Sequence, residues 1–165
     1  MFVEYGSDKD STHSYINSYL NLLEKYIGKK AILLEIGVQT GGSMLAWKKF
    51  LVNGIITGID KDSHNVIGEY EFIHVDVTNK ELLSEKMKGR TFDIIIDDGS
   101  HYTKDQLLAI EVLINHLNKD GIYIIEDFYP IENSKKFTDF GTVEIIDLRH
   151  VKNRYDDVLA IIRKK

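Results

Sequence analysis

The stretch Ala31-Ile32-Leu33-Leu34-Glu35-Ile36-Gly37-Val38-Gln39-Thr40-Gly41-Gly42-Ser43 decides the fold. Its apolar first half reads as a strand covered on both faces, and its glycines turn the chain into a helix over residues 43–52. The same alternation recurs on the C-terminal side. Residues 55–59, 70–75, 92–96 and 122–125 read as the second to fifth strands, with helices over 80–88 and 104–117. In the last helix Leu107, Leu108, Val112 and Leu113 recur at roughly helical spacing. Strands alternating with helices predict an α/β protein with a mostly parallel sheet.

The end of the chain breaks the pattern. Residues 143–148 and 158–162 read as two more strands with only a short connection between them. A helical crossover needs about a dozen residues, so these two are expected to be antiparallel neighbours. Before the first strand, Asp10 or Ser11 is placed to cap a helix running through Tyr15, Tyr19, Leu22, Leu23 and Tyr26. The longest expected loop covers residues 128–141 and holds the single proline, Pro130.

A chain of 165 residues suits one domain, here 1–165, with 1–28 as an N-terminal helical segment covering the site. A formal net charge of −5 and a pI near 5.7 disfavour broad nucleic-acid or membrane binding, leaving the basic Arg163-Lys164-Lys165 as a solubilising end. The absence of cysteine excludes disulfides, thiolate metal sites and a thiol nucleophile. No apolar run approaches the roughly 20 residues of a membrane helix, and the start lacks the plan of a signal peptide. A cytoplasmic location is expected.

Chemistry-bearing residues gather at the carboxyl ends of the expected strands, where open α/β sheets bind ligands. Glu35 and Gly37 close the first, Asp60 the second and Asp76 the third. An acid at the second tip can accept hydrogen bonds from ribose hydroxyls, and one at the third is placed to contact an adenine. The glycines at 37, 41 and 42 do not follow the Gly-x-Gly-x-x-Gly spacing of a dinucleotide turn. A carboxylate beside the turn suits a ligand carrying an amino acid group better than a diphosphate. Further on, Asp97-Asp98-Gly99-Ser100-His101 and Glu126-Asp127 follow the fourth and fifth strands. Neighbouring strands would bring Asp98, Glu126, Asp127 and His101 together. Three carboxylates without a thiol make a hard oxygen site that favours Mg²⁺, with Mn²⁺ or Ca²⁺ as alternatives. Acids packed this closely repel, and a cation is the simplest remedy. By contrast, Trp47, Tyr15 and Tyr19 read as core packing, and His64, His74, His116 and His150 as surface or core residues. Of Tyr123 and Tyr129, only Tyr129 is placed to touch a substrate.

Gly6-Ser7-Asp8-Lys9, His13-Ser14-Tyr15, the loop from Glu35 to Ser43, Asp97 to His101, and Ile125-Glu126-Asp127 together resemble the metal-dependent sugar O-methyltransferases of macrolide biosynthesis. The resemblance runs in order along nearly the whole chain. It implies a Rossmann-like class I methyltransferase fold, a three-layer sandwich with strand order 3-2-1-4-5-7-6 and an antiparallel last strand. It implies S-adenosylmethionine as cofactor, held around Ser7, Glu35, Gly37, Val38, Gln39, Ser43, Asp60, Asp76, Val77 and Asp97. It further implies Mg²⁺ on Asp98, Glu126 and Asp127, with His101 as the general base. An unperturbed imidazole titrates near 6.5, which suits that role. The acceptor would be a hydroxyl of a sugar or similar diol.

Members of that family are usually longer, with extra segments enclosing the acceptor. In this chain only the N-terminal segment and the 128–141 loop are available to cover one, so a larger acceptor or a second subunit of a homo-oligomer could complete the pocket. A catechol-like aromatic diol serves metal chelation equally well. A non-catalytic cofactor-binding protein, or a nicotinamide oxidoreductase, are further readings; the clustered acids argue against the first and the glycine spacing against the second.

Overall fold

The computed structural model describes residues 2–62 and 70–164, so His64 lies outside the described residues. Its centre is a seven-stranded sheet: β1 (Ile32–Ile36), β2 (Ile55–Asp60), β3 (Glu71–His74), β4 (Phe92–Asp97), β5 (Leu117–Ile125), β6 (Gly141–Asp147) and β7 (Val158–Lys164). The order is β3-β2-β1-β4-β5-β7-β6. β1 to β5 pair in parallel, and β7 runs antiparallel to both β5 and β6. This is the expected topology, with the last strands adjacent and opposed.

Successive side chains along a strand point to opposite faces, and the central strands use this to fill two cores. Leu34, Ile95, Tyr123 and Ile125 pack on one face with α4 (Lys80–Met87) and α5 (Thr103–Leu113). Leu33, Ile94, Ile96 and Ile124 pack on the other with α3 (Gly42–Phe50) and the N-terminal segment. Trp47 anchors that second core, fully buried with Phe2 and Tyr19 edge-on to its ring. Each large apolar side chain buried this way contributes about 2 kcal/mol.

Three expectations need correction. The N-terminal helix is two: α1 (Asp8–Ser11), capped by Ser7 rather than Asp10 or Ser11, and α2 (Ile16–Leu23), which gives way to a 3₁₀ turn at Glu24–Tyr26. The break is held from outside. Lys152 donates to the carbonyls of Asp10, Ser11 and His13, and the Ser14 N–H donates to Asp157. The helix expected to reach Leu117 stops at Leu113, and Leu117 starts β5 by pairing with Phe92. The 128–141 loop contains a 3₁₀ segment, Ile131–Phe137, pinned by the buried Phe137 against Phe128.

Candidate active site

Sharp turns at the strand tips build the site. Gly37 follows β1 at φ 88°, and a side chain there would put its Cβ 2.1 Å from the Asp98 carbonyl oxygen. The β1 and β4 tips can therefore touch only through a glycine. Gln39, His101 and Asp127 adopt left-handed φ of 45°, 60° and 51°. Such backbone is costly for residues with a side chain and concentrates at functional sites. No helical turn links Asp98 to His101, because α5 starts only at Thr103.

On the β1–β3 side the acids are held by the turns around them. Asp60 accepts the backbone N–H groups of Val38 and Gln39 through Oδ2 and that of Asp62 through Oδ1. Asp76 accepts the N–H and hydroxyl of Thr78, which holds its carboxyl below the usual range. Gly37, Gln39, Asp60, Asp76, Val77 and Asp98 share a cavity of about 490 Å³. A smaller cleft of about 100 Å³ shares Gly37, Gln39 and Asp98 with it and adds Ser7, Val38 and Ser43.

Two expected cofactor residues lie deeper. Glu35 is fully buried and lines neither cleft; its Oε2 accepts from Ser43 and its Oε1 lies 3.1 Å from the Lys9 ammonium. Burial raises its carboxyl, opposed by Lys9. Asp97 accepts the Gly99 N–H and the Tyr123 hydroxyl beneath the loop, and burial pushes its carboxyl up to about 6. Asp97 supports the turn from inside, and Tyr123 is a core residue.

Around β4 and β5 the carboxylates fall into two overlapping groups that share Asp98. Asp98, His101 and Asp127 form the outer one; Glu35, Asp98 and Glu126 form the inner one. Within each group the ligand atoms lie within 4.8 Å of one another. Among the described residues no such group unites Asp98, Glu126 and Asp127. His101 stands at the rim, 42% exposed, with Nε2 3.8 Å from Asp127 Oδ2.

The sequence reading missed what fills the inner group. Lys9 Nζ donates to Asp98 Oδ2 and Glu126 Oε1, each at 2.7 Å, with no exposed side-chain surface. Burial opposes its charge, but Asp98, Glu126 and Glu35 outweigh it and hold the ammonium protonated. The Tyr19 hydroxyl donates to Glu126, and that of Tyr15 donates to Asp127 at 2.6 Å. His13 Nδ1 lies 3.2 Å from Asp127, its ring stacked on Tyr15. Burial raises both carboxyls, with Asp98 adding to the shift at Glu126 and the Tyr15 hydrogen bond opposing it at Asp127. Thus Tyr15 and Tyr19 are more than core packing. The available signal was a run of acids needing a cation, with a lysine in the quoted N-terminal motif.

No family model matches the chain. Its curated homologues are sugar O-methyltransferases. It is 31% identical over 71% of its length to mycinamicin VI 2''-O-methyltransferase of Micromonospora griseorubida, covering 32% of that protein. It is 30% identical over 72% of its length to demethylmacrocin O-methyltransferase of Streptomyces fradiae, covering 33% of that protein. A tetracenomycin rhamnosyl 2'-O-methyltransferase of Streptomyces olivaceus is 29% identical over 76% of this chain and 36% of its own length. The chain thus spans about a third of the length of the curated relatives it matches. Among solved structures, MycE methyltransferase from the mycinamycin biosynthetic pathway, in complex with Mg, SAH and mycinamycin VI, superposes with a TM-score of 0.79 at 23% identity, over 98% of this chain and 52% of that one. A Plasmodium falciparum ribosomal RNA methyltransferase gives 0.64 at 19% identity, over 92% and 96% of the two chains. The fold is that of the Rossmann-like methyltransferases.

Proposed function

We propose that this chain is the core of an S-adenosylmethionine-dependent O-methyltransferase that uses a divalent metal ion to methylate a hydroxyl of a sugar or glycosylated small molecule. The observation that carries the reading is the meeting at one sheet edge of two sites: the cavity holding Gly37, Asp60, Asp76 and Val77, and the outer group of Asp98, His101 and Asp127. Asp98 belongs to both, which suits a methyl donor lying beside a metal-bound acceptor.

The residues present fit both groups. Two partly exposed carboxylates beside an imidazole, with no sulfur, are a donor set for Mg²⁺ or Mn²⁺. Asp98 and Asp127 would hold the ion, with Glu126 behind them, its Oε1 taken by Lys9 and Tyr19. Once bound, such an ion lowers the pKa of a coordinated hydroxyl. The cofactor would take the cavity, with Asp60 toward its ribose, Asp76 and Val77 toward its adenine, and Ser7, Gly37, Val38, Gln39 and Ser43 around its amino acid end. Glu35 would act from beneath through Ser43, and Asp97 by holding the loop.

His101 would accept the proton of the acceptor hydroxyl as its oxygen bonds to the methyl carbon, while that carbon's bond to the cofactor's sulfonium sulfur breaks and the sulfur leaves as a neutral thioether. Its exposure leaves a path for that proton to water. Much of the rate enhancement comes from holding donor and acceptor in line. The homologues' substrates, sugars on macrolide and tetracenomycin scaffolds, support a glycosidic acceptor over a plain aromatic diol.

Calorimetry with S-adenosylmethionine, with and without Mg²⁺, followed by methyl transfer to a panel of glycosides and catechols, tests the reading. His101→Ala is expected to keep cofactor affinity and lose turnover, and Asp98→Ala to lose metal dependence. Tight NADH binding without S-adenosylmethionine binding would end it.

A further inference from the structure

The inner carboxylate group has a cation of its own. Lysine is among the residues least often fully buried, yet Lys9 is fully buried between three acids from three different strand tips. The partners lie far along the chain: Asp98 is 89 residues away and Glu126 is 117. The short helix α1 carries the lysine, Ser7 caps it, and Gly42 lets the chain just before it run against α3, where a Cβ would lie 2.2 Å from the Tyr5 carbonyl. Removing one member of such an assembly strands buried charge, which is strongly destabilising.

We propose that Lys9 is the resident cation of this inner group, a positioning residue whose ammonium holds Glu35, Asp98 and Glu126 converged, so that the cofactor turn and the β4–β5 tips are assembled before a divalent ion arrives. Naming those tips as cofactor and metal sides rests on the function proposed above; the role of the ammonium does not. A hydrogen-bonded partner fixes the orientation of a ligating carboxylate, and Lys9 does so for Asp98 and Glu126 at once. One positive charge among several negative ones leaves the site net negative, as a divalent ion and a sulfonium cofactor require.

The consequence is a conditional dependence on metal. The test is thermal unfolding of wild type, Lys9→Met, Lys9→Arg and Lys9→Met/Glu126→Gln, in chelator and in millimolar Mn²⁺ or Ca²⁺, without cofactor or acceptor. In chelator Lys9→Met is expected to melt on the order of 10 °C below wild type. Divalent ions should recover at least half of that loss, a larger shift than they give wild type. Lys9→Arg keeps the charge and should keep the wild-type response to metal. The double variant removes a negative charge with the positive one and should melt above Lys9→Met in chelator.

The proposal is overturned if Lys9→Met melts with wild type, if divalent ions raise it no more than they raise wild type, if Lys9→Arg becomes metal-dependent like Lys9→Met, or if the double variant is the less stable of the pair. If Lys9→Met does not fold, the double variant decides: folded, it supports the proposal, and unfolded, it defeats it. Loss of the methyltransferase reading would show instead as a wild type that binds no S-adenosylmethionine, which leaves these melting curves untouched.

Discussion

The two halves of the sheet edge hold their acids in opposite ways. At the β2 and β3 tips, Asp60 and Asp76 accept backbone N–H groups from turns in their own neighbourhood, two to about twenty residues away. At the β4 and β5 tips, Asp98, Glu126 and Asp127 accept from Lys9, Tyr19 and Tyr15, side chains about a hundred residues away. The first half can take shape wherever its local loops do. The second exists only when the N-terminal segment docks, because acids at this depth need donors that their own loops do not provide. Two sites on one edge therefore differ in what their loss should cost.

Substitutions put that contrast to the test. The largest effect is expected where the halves touch. Gly37→Ala combines a positive φ with a Cβ 2.1 Å from the Asp98 carbonyl and should cost more than about 2 kcal/mol, weakening cofactor and metal binding together. Denaturant unfolding and calorimetry would check it, and a variant that lost only one ligand would show the halves to be independent. Next, Tyr19→Phe removes a buried donor to a carboxylate and should cost about 1.5–3 kcal/mol. A result within about 0.5 kcal/mol of wild type would mean that Lys9 alone satisfies Glu126. Tyr15→Phe should cost less, about 1 kcal/mol, because Asp127 is partly exposed and keeps its contact with His13.

The smallest effect belongs to the locally held half and concerns pH. The Thr78 hydrogen bonds keep the carboxyl of Asp76 low in the folded chain. A depressed acid stabilises above its unfolded pKa and loses that contribution as pH falls through the folded one. Wild type should therefore lose stability slightly more steeply than Asp76→Asn below about pH 4, by a few tenths of a kcal/mol for a group this exposed. Acid titrations followed by circular dichroism would reveal it, and a difference of the opposite sign would contradict the assigned hydrogen bonds.

The same contrast accounts for what was legible in advance. Strand runs and the short link between β6 and β7 carry local signals, so the layout and the antiparallel end were readable from patterning. Strand termini also mark the sheet edge, which made the gathering of Gly37, Asp60, Asp76, Asp98 and Asp127 there readable in advance. The break between α1 and α2 was not, because Lys152 and Asp157 hold it from the far end of the chain. The burial of Glu35 and Asp97 escaped for a related reason. Alternation says that a strand residue faces one side or the other, but not which partners wait there.

Periodicity and residues adjacent in the chain are enough to specify the parallel sheet, the edge at which chemistry gathers and the acids that gather there. How those acids are divided and neutralised emerges only on folding: an inner group closes around Lys9 and an outer group reaches the surface at His101, the two sharing Asp98. The reason is physical. A buried charge is compensated by whichever opposite charge arrives within a few ångströms, and the docking of the N-terminal segment settles which one does.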